Sequence, residues 1–384
     1  MVSQRLSMSK TDPRESLKSK RRIVIKVGSA LLAQSGEGVL RERISEYSGQ
    51  ISQLIGDGYE FLIVTSGAVA AGMGRLGLKN RPTKVNELQA IAAIGQMRLM
   101  QAYEEEISEL GYVSSMILLT HEDFSDRRRY LNARATLTRL LDLGAIPLIN
   151  ENDTVATDEI RFGDNDTLSA FVTNLVEADL QIILTDVDGL MDKDPNIHND
   201  AKRVSQASAD DQSLELLSSD RTSDLGRGGM LSKVKAARLA SRSGADTVIA
   251  SGKVKDVLIK ILAGQDIGTY LVAENKSLRS RKRWIADQLK PAGKIIIDSG
   301  AAKALSKGGA SLLAVGVFSV SGEFDRGDLV ECCDDTGAVV AQGLVNYSSK
   351  DIGKLKGLNS DSYSSHIDHV YENELIHCDN LVLI

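Results

Sequence analysis

The chain has 384 residues, 42% hydrophobic and 26% charged, enough for two compact domains of ordinary size. Its net charge of −6 excludes a general basic field for nucleic acid, so an anionic ligand must be held by a few placed cations. No apolar run approaches the roughly 18 residues of a membrane span, and Cys332, Cys333 and Cys378 have neither metal-ligand nor disulfide-framework spacing, so the expectation is a cytoplasmic protein without a membrane partner.

Residues 1–20 are Ser-rich and basic, lack the apolar stretch of a signal peptide, and read as a flexible tail. Then strand-like and helix-like runs take turns. "RIVIKV", "EFLIVTS", "VSSMILLT", "AIPLIN", "LQIILTD" and "ADTVIAS" have the length and β-branched or leucine content of strands buried on both faces. Between the first two, Ile44, Tyr47, Ile51, Leu54 and Ile55 mark one helical face that stops at Gly56-Asp57-Gly58. Further helical patterns run from Glu87 to Gly111, from Asn132 to Gly144, and from near Asp166 through Leu175. This alternation predicts βαβ units in a three-layer αβα sandwich with a mainly parallel central sheet, whose ligands bind beyond the carboxyl ends of the strands. Near residues 277–291 the pattern gives way to a charged linker, and "KIIID", "SLLAVGV", "DLVECC" and "AVVAQGLV" then form short strands of a small β-rich domain.

The polar residues at the predicted strand ends carry the chemistry. Lys26 lies inside an apolar strand just before Gly28, where an ammonium either snorkels out or is held over a phosphate. Ser66-Gly67 ends the second strand and opens a helix, a plain cap or an anion site. Two Asn-Asp pairs, Asn152-Asp153 and Asn165-Asp166, flank apolar runs and could be simple turns. Thr185-Asp186 leaves a further strand, and Gly228-Gly229 precede Ser232 and Lys233 at a helix start, a device suited to a triphosphate. The Gly72–Gly77 segment fits G-x-G-x-x-G, but a helical stretch separates it from the strand, which excludes a dinucleotide fingerprint. No Walker-type P-loop occurs, and the Asp186-Asp188-Gly189 spacing fails the calcium-loop pattern. Two lysines, glycine turns and Asn/Asp pairs, with no nucleophile-base-acid triad, point to phosphoryl transfer.

In this order, "KVGSALL", "VTSGAVAAG", "INENDTVAT", "GDNDTLSA", "LLTDVDGL" and the Gly228–Lys233 segment resemble the amino-acid-kinase superfamily and, within it, the glutamate 5-kinase family. The last ninety residues resemble a PUA domain. The resemblance implies a catalytic domain over 21–276, a linker over 277–291 and a PUA-like domain over 292–384. It also implies ATP-dependent phosphorylation of the γ-carboxylate of L-glutamate, the first step of proline synthesis, with proline as feedback inhibitor and the loop from Asp153 to Gly163 as control element. It assigns catalysis to Lys26, Lys233 and Asp166, substrate binding to Ser66, Gly67, Asn150, Asp153 and Asn165, and ATP binding to Lys26, Thr185, Asp186 and the segment Arg227, Gly228, Gly229, Met230, Leu231, Ser232 and Lys233. Mg2+ is expected to travel on the nucleotide phosphates rather than in a protein cage, and a homo-oligomer, dimer or tetramer, is implied. Arg227 and Leu231 stand where small or hydroxyl residues are frequent in the family, and Met191 where Tyr is frequent. Two alternatives stay open: a kinase of another small acid on the same fold, and an RNA-binding or regulatory protein acting through the PUA-like domain. Nucleic acid is disfavoured, because residues 291–384 carry seven Lys/Arg against thirteen Asp/Glu.

Overall fold

The structure, a computed structural model, describes residues 13–34, 38–156, 165–193, 197–198, 200–218, 229–273 and 291–384. The chain forms two compact units, Met1–Ser125 with Ala133–Lys276, and Asp126–Asn132 with Ser277–Ile384.

In the first unit, β1 (Arg22–Val27) is followed by α1 (Ser29–Leu32), the small hairpin β2 (Ala33–Gln34) and β3 (Gly38–Val39), α2 (Arg41–Gly56), β4 (Glu60–Thr65), α3 (Ala68–Leu76) and α4 (Val85–Glu109). Then come β5 (Val113–Leu119), α5 (Glu122–Ser125), α6 (Arg127–Asp142, of which residues 127–132 are counted with the second unit), β6 (Ala145–Glu151), α7 (Asn165–Leu175), β7 (Leu180–Thr185), β8 (Gln206–Ser208), α8 (Ser213–Ser218), α9 (Met230–Ser241), β9 (Asp246–Ser251), α10 (Val257–Leu262) and β10 (Thr269–Val272). Eight strands make one sheet in the order β5-β6-β4-β1-β7-β9-β10-β8. Every neighbouring pair is parallel except β9 with β10.

Side chains alternate across a strand, and that alternation builds the layers. Ile182, Leu184, Val248 and Ala250 face a core that includes Tyr47 and Ile51 of α2, Leu99 and Tyr103 of α4, and Leu258 and Ile261 of α10. Ile183 and Ile249 point the other way, into a core with Ala170 of α7 and Val234, Ala237 and Ala240 of α9. The three-layer sandwich expected from the strand-helix alternation is therefore present. Because β1, β4, β6, β7 and β9 all run parallel, their carboxyl ends, with the polar residues singled out above, lie along one edge.

Two expectations need correction. Part of the supposed flexible tail is fixed: Pro13–Ser19 forms a 3-10 helix with Leu17 fully buried. Arg14 donates to the carbonyls of Ser205, Gln265, Ile267 and Gly268 at 2.7–3.2 Å and pairs with Asp266 at 3.0 Å. A planar guanidinium satisfies several backbone acceptors at once, a role that residue composition does not reveal. Likewise β5 is not buried on both faces. It is the sheet edge, and Val113 and Met116 remain exposed.

The second unit carries a five-stranded sheet, β12-β11-β13-β14-β15, of Gly293–Ile297 (β11), Val317–Ser321 (β12), Leu329–Cys333 (β13), Val339–Leu344 (β14) and Leu381–Leu383 (β15). Its own core gathers Ile295, Val330, Cys332, Ala341, Tyr347, Tyr363 and Ile376. Burial pushes the Cys332 thiol up to about 12, so this cysteine stays protonated at neutral pH.

Candidate active site

The register of β1 explains the buried lysine. Ile25 and Val27 belong to the core under α2 and α4, so Lys26 between them projects to the opposite face, level with Ile183 of β7 and towards α7. There its Nζ meets Asp166 Oδ1 at 2.7 Å. The second carboxylate oxygen, Oδ2, lies 2.9 Å from Lys233 Nζ and 2.8 Å from Ser232 Oγ, both on the first turn of α9. Asp166 is fully buried, Lys26 7% exposed and Lys233 5% exposed, so all three charges lie within the protein. Burial alone would push the Asp166 carboxyl up. The two flanking ammonium groups and their hydrogen bonds outweigh it and hold the group well below the usual carboxylate range. Two cations around one anion leave a buried excess of positive charge at the carboxyl edge of the sheet. Isolated, such an excess is costly; opposite a phosphate it becomes complementary.

The neighbouring Asn165 turns a second set of groups inward. Its Nδ2 contacts the Thr65 carbonyl at 2.7 Å, Asn150 Oδ1 at 2.8 Å and Ser66 Oγ at 3.0 Å, linking α7 to the ends of β4 and β6. Asn150 in turn donates from Nδ2 to Gln96 Oε1 of α4 at 2.7 Å. Gly67 caps α3 with φ of 113°, a left-handed conformation that glycine adopts without strain, and no side chain caps that helix. Ser66 is thus not a plain N-cap; its hydroxyl faces Asn165. Asp153 sits in the turn after β6, held by Asn152 N–H to Leu119 O and by Val155 and Ala156 N–H to Asn152 O. Burial pushes its carboxyl up to about 6, opposed by the charge of Arg81. Thr185 closes β7 with its hydroxyl 3.2 Å from Asp186 Oδ1, while Gly28 N–H donates to Leu184 O and Gly252 N–H to Thr185 O. A Cβ on Gly28 would come 3.2 Å from the Leu184 carbonyl and 3.9 Å from Lys26 Nζ, so the glycine keeps the lysine's approach open.

Residues 21–251 match the amino acid kinase family model, and residues 293–367 match that of the PUA domain. The chain belongs to the amino acid kinase family. It is 53% identical over 371 residues to the glutamate 5-kinase of Marinomonas sp. (strain MWYL1), covering 97% of this chain and 99% of that protein. It is 54% identical over 368 residues to the glutamate 5-kinase of Nitrosospira multiformis, covering 96% and 99%. The solved UMP kinase of Bacillus anthracis aligns at 16% identity and a TM-score of 0.49, over 66% of this chain and 97% of its own.

In this family member, the residues expected from sequence fall into two joined clusters. Lys26, Asp166, Ser232 and Lys233 meet at one carboxylate, and Ser66, Asn150 and Asn165 meet at one amide. Asn165 and Asp166 are consecutive, so a single helix start serves both. Gly229 is the N-cap of α9, and Met230 and Leu231 begin its first turn. Arg227 and Gly228 lie outside the described residues, as do residues 157–163 of the proposed control loop. The rejected G-x-G-x-x-G stretch has a packing role: a Cβ on Gly72 would fall 2.0 Å from the Ile91 carbonyl of α4. Gln96 escaped the sequence reading, since a glutamine on a long amphipathic helix reads as surface. Among the described residues, no group of three or more His, Cys, Asp or Glu could hold a metal, and no helix is long and apolar enough to cross a membrane.

Proposed function

We propose that this kinase transfers the γ-phosphoryl group of ATP to the γ-carboxylate of L-glutamate, giving L-glutamyl 5-phosphate and ADP. The observation that carries the chemistry is the single buried carboxylate of Asp166 gripping two lysine ammonium groups from β1 and α9. The near-full-length likeness to the glutamate 5-kinases of Marinomonas and Nitrosospira supports the choice of acceptor.

One γ-carboxylate oxygen of glutamate attacks the γ-phosphorus as the bond to the β,γ-bridging oxygen breaks and its electron pair leaves on ADP. The nucleophile is already an anion at neutral pH, so no proton has to move and no general base is required. Such a transfer needs positioning and neutralisation of equatorial charge. Lys26 and Lys233 supply the charge, and Asp166 aligns them so that they need no reorganisation when charge develops. Ser66, Gly67, Asn150 and Asn165 hold the amino acid, and Asp153 accepts its ammonium group. Thr185, Asp186 and the Arg227–Lys233 segment hold ATP. With both Asp166 oxygens occupied by lysines, Mg2+ fits best on the nucleotide phosphates, where it adds Lewis-acid neutralisation. Proline inhibition through the glutamate pocket, a homo-oligomeric assembly and a cytoplasmic location complete the reading.

The test is ADP release by the purified chain with Mg-ATP and glutamate, N-acetylglutamate, aspartate or UMP, with hydroxylamine present to trap an acyl phosphate. Glutamate-dependent release with hydroxamate is the expected result. Activity only with another acceptor would overturn the assignment of glutamate.

A further inference from the structure

The amide cluster has a direction, and that direction ends at a side chain with no assigned role. The Thr65 backbone carbonyl can only accept, so the Asn165 atom 2.7 Å from it must be the NH2 group. Asn150 then has to present its oxygen to that NH2 group and its own NH2 group to Gln96. Gln96 must offer Oε1 to Asn150, and its Nε2 is left as the free end of the chain. The usual ambiguity of amide flips is therefore resolved by one peptide carbonyl three links away.

Gln96 is 9% exposed, and its Nε2 is buried without a hydrogen-bond partner among the described residues. A buried unpaired amide is destabilising, so such a group calls for a partner, and a bound ligand is one that can supply it. The position is also built closely. A Cβ on the preceding Gly95 would lie 1.8 Å from the Ala68 carbonyl and 2.4 Å from the Gly72 amide nitrogen, so α4 crosses the first turn of α3 almost backbone to backbone. That crossing sets Gln96 beside the end of β6, next to the residues that hold the substrate. About two turns earlier on the same helix, Gln89 donates to Ala156 O at 3.1 Å and steadies the turn that carries Asp153.

We propose that Gln96 is a substrate-binding residue, its Nε2 donating to a carboxylate oxygen of the bound amino acid. The ligand end of the relay is a pure donor, and a carboxylate is a pure acceptor. The proposal rests on the reading of an amino-acid acceptor given above. The alternative is a purely structural Gln96 that serves only to orient Asn150 through Oε1.

Gln96→Glu separates the two, because it keeps an acceptor for Asn150 and replaces the donor by an oxygen that repels the substrate. At pH 8 the variant should raise the KM for glutamate at least tenfold, with the KM for ATP and the melting temperature close to those of the parent. Lowering the pH towards 6 should narrow the gap, since a protonated carboxyl regains a donor. A KM equal to the parent's at pH 8 overturns the proposal, as does a parallel rise in both KM values. Gln96→Leu, which removes both ends, should match or exceed the loss; if it binds glutamate like the parent, the residue has no role. The parent chain is assayed alongside with the hydroxamate trap. Its failure to use glutamate would strike the acceptor assignment, whereas a working parent with an indifferent Gln96→Glu strikes only this inference.

Discussion

The two halves of the site lie side by side at the same sheet edge and solve opposite problems. Around Asp166 the site is charged and buried, and two ammonium groups on one carboxylate leave one positive charge in excess. Around Asn165 everything is neutral, and each amide orients the next. A charged cluster can respond to charge developing in a transition state, which lowers the barrier. A neutral relay recognises shape and the placement of donors, and it binds ground state and transition state alike. Substitutions on the Asp166 side should therefore lower kcat, and those on the Asn165 side should raise the KM for glutamate.

The largest effect is expected from Asp166→Ala. Two buried ammonium groups would then face each other without a counter-ion, costing about 3–5 kcal/mol of stability and on the order of 10³-fold or more in kcat. Chemical denaturation and steady-state rates measure the two losses. An Asp166→Ala protein that keeps parental kcat would dissolve the contrast between the halves. Next is Ser66→Ala, which removes the hydroxyl 3.0 Å from Asn165 Nδ2. It should raise the KM for glutamate about tenfold, the worth of one hydrogen bond to a charged group, with a smaller change in kcat; the opposite ratio would place Ser66 with the catalytic cluster.

The third prediction concerns pH. On the proposed reading Asp153 accepts the substrate ammonium, which requires it ionised, and burial has raised its carboxyl to about 6. The KM for glutamate should be flat above that pH and rise about tenfold per unit below it; a flat profile down to pH 5 would exclude Asp153 as the ammonium acceptor. The same shift has a cost in the free enzyme. A carboxyl raised from 3.8 to about 6 by folding leaves stability intact at pH values below 3.8. Stability then falls as the pH rises through that window. Asp153→Asn should consequently stabilise the unliganded protein at pH 8 by on the order of 1–3 kcal/mol while weakening glutamate binding. The smallest effect belongs to Arg81, whose charge opposes the shift. Arg81→Met should move the inflection of the glutamate KM a fraction of a unit upward, read from the same profile.

The charged half was legible in the sequence, and the neutral half only partly. Lys26 stands out because an ammonium inside "RIVIKV" contradicts its surroundings, whereas the Asn165-Asp166 pair reads equally as a turn and only the family resemblance singles out Asp166. The alternation of six apolar runs with helical periods likewise implied the layered sheet that the structure has. Gln96 carries no such contradiction. Its burial follows from the glycine contact between α3 and α4, a tertiary event without a local signature. Arg14 was hidden for the same reason: its partners are backbone carbonyls about 190 to 250 residues away, and a carbonyl looks alike in every sequence. The edge position of β5 also escaped, because strand order is decided by pairing rather than by the composition of the strand itself.

The central claim is that the buried lysines act on the phosphoryl group in flight and not on the resting substrate. Lys233→Ala, assayed at saturating Mg-ATP with glutamate varied, tests it most directly. The account predicts a fall in kcat of on the order of 10²–10³-fold with the KM for glutamate changed less than about threefold. A kcat close to the parent's with a large rise in that KM would contradict it, and would move Lys233 from catalysis to substrate binding.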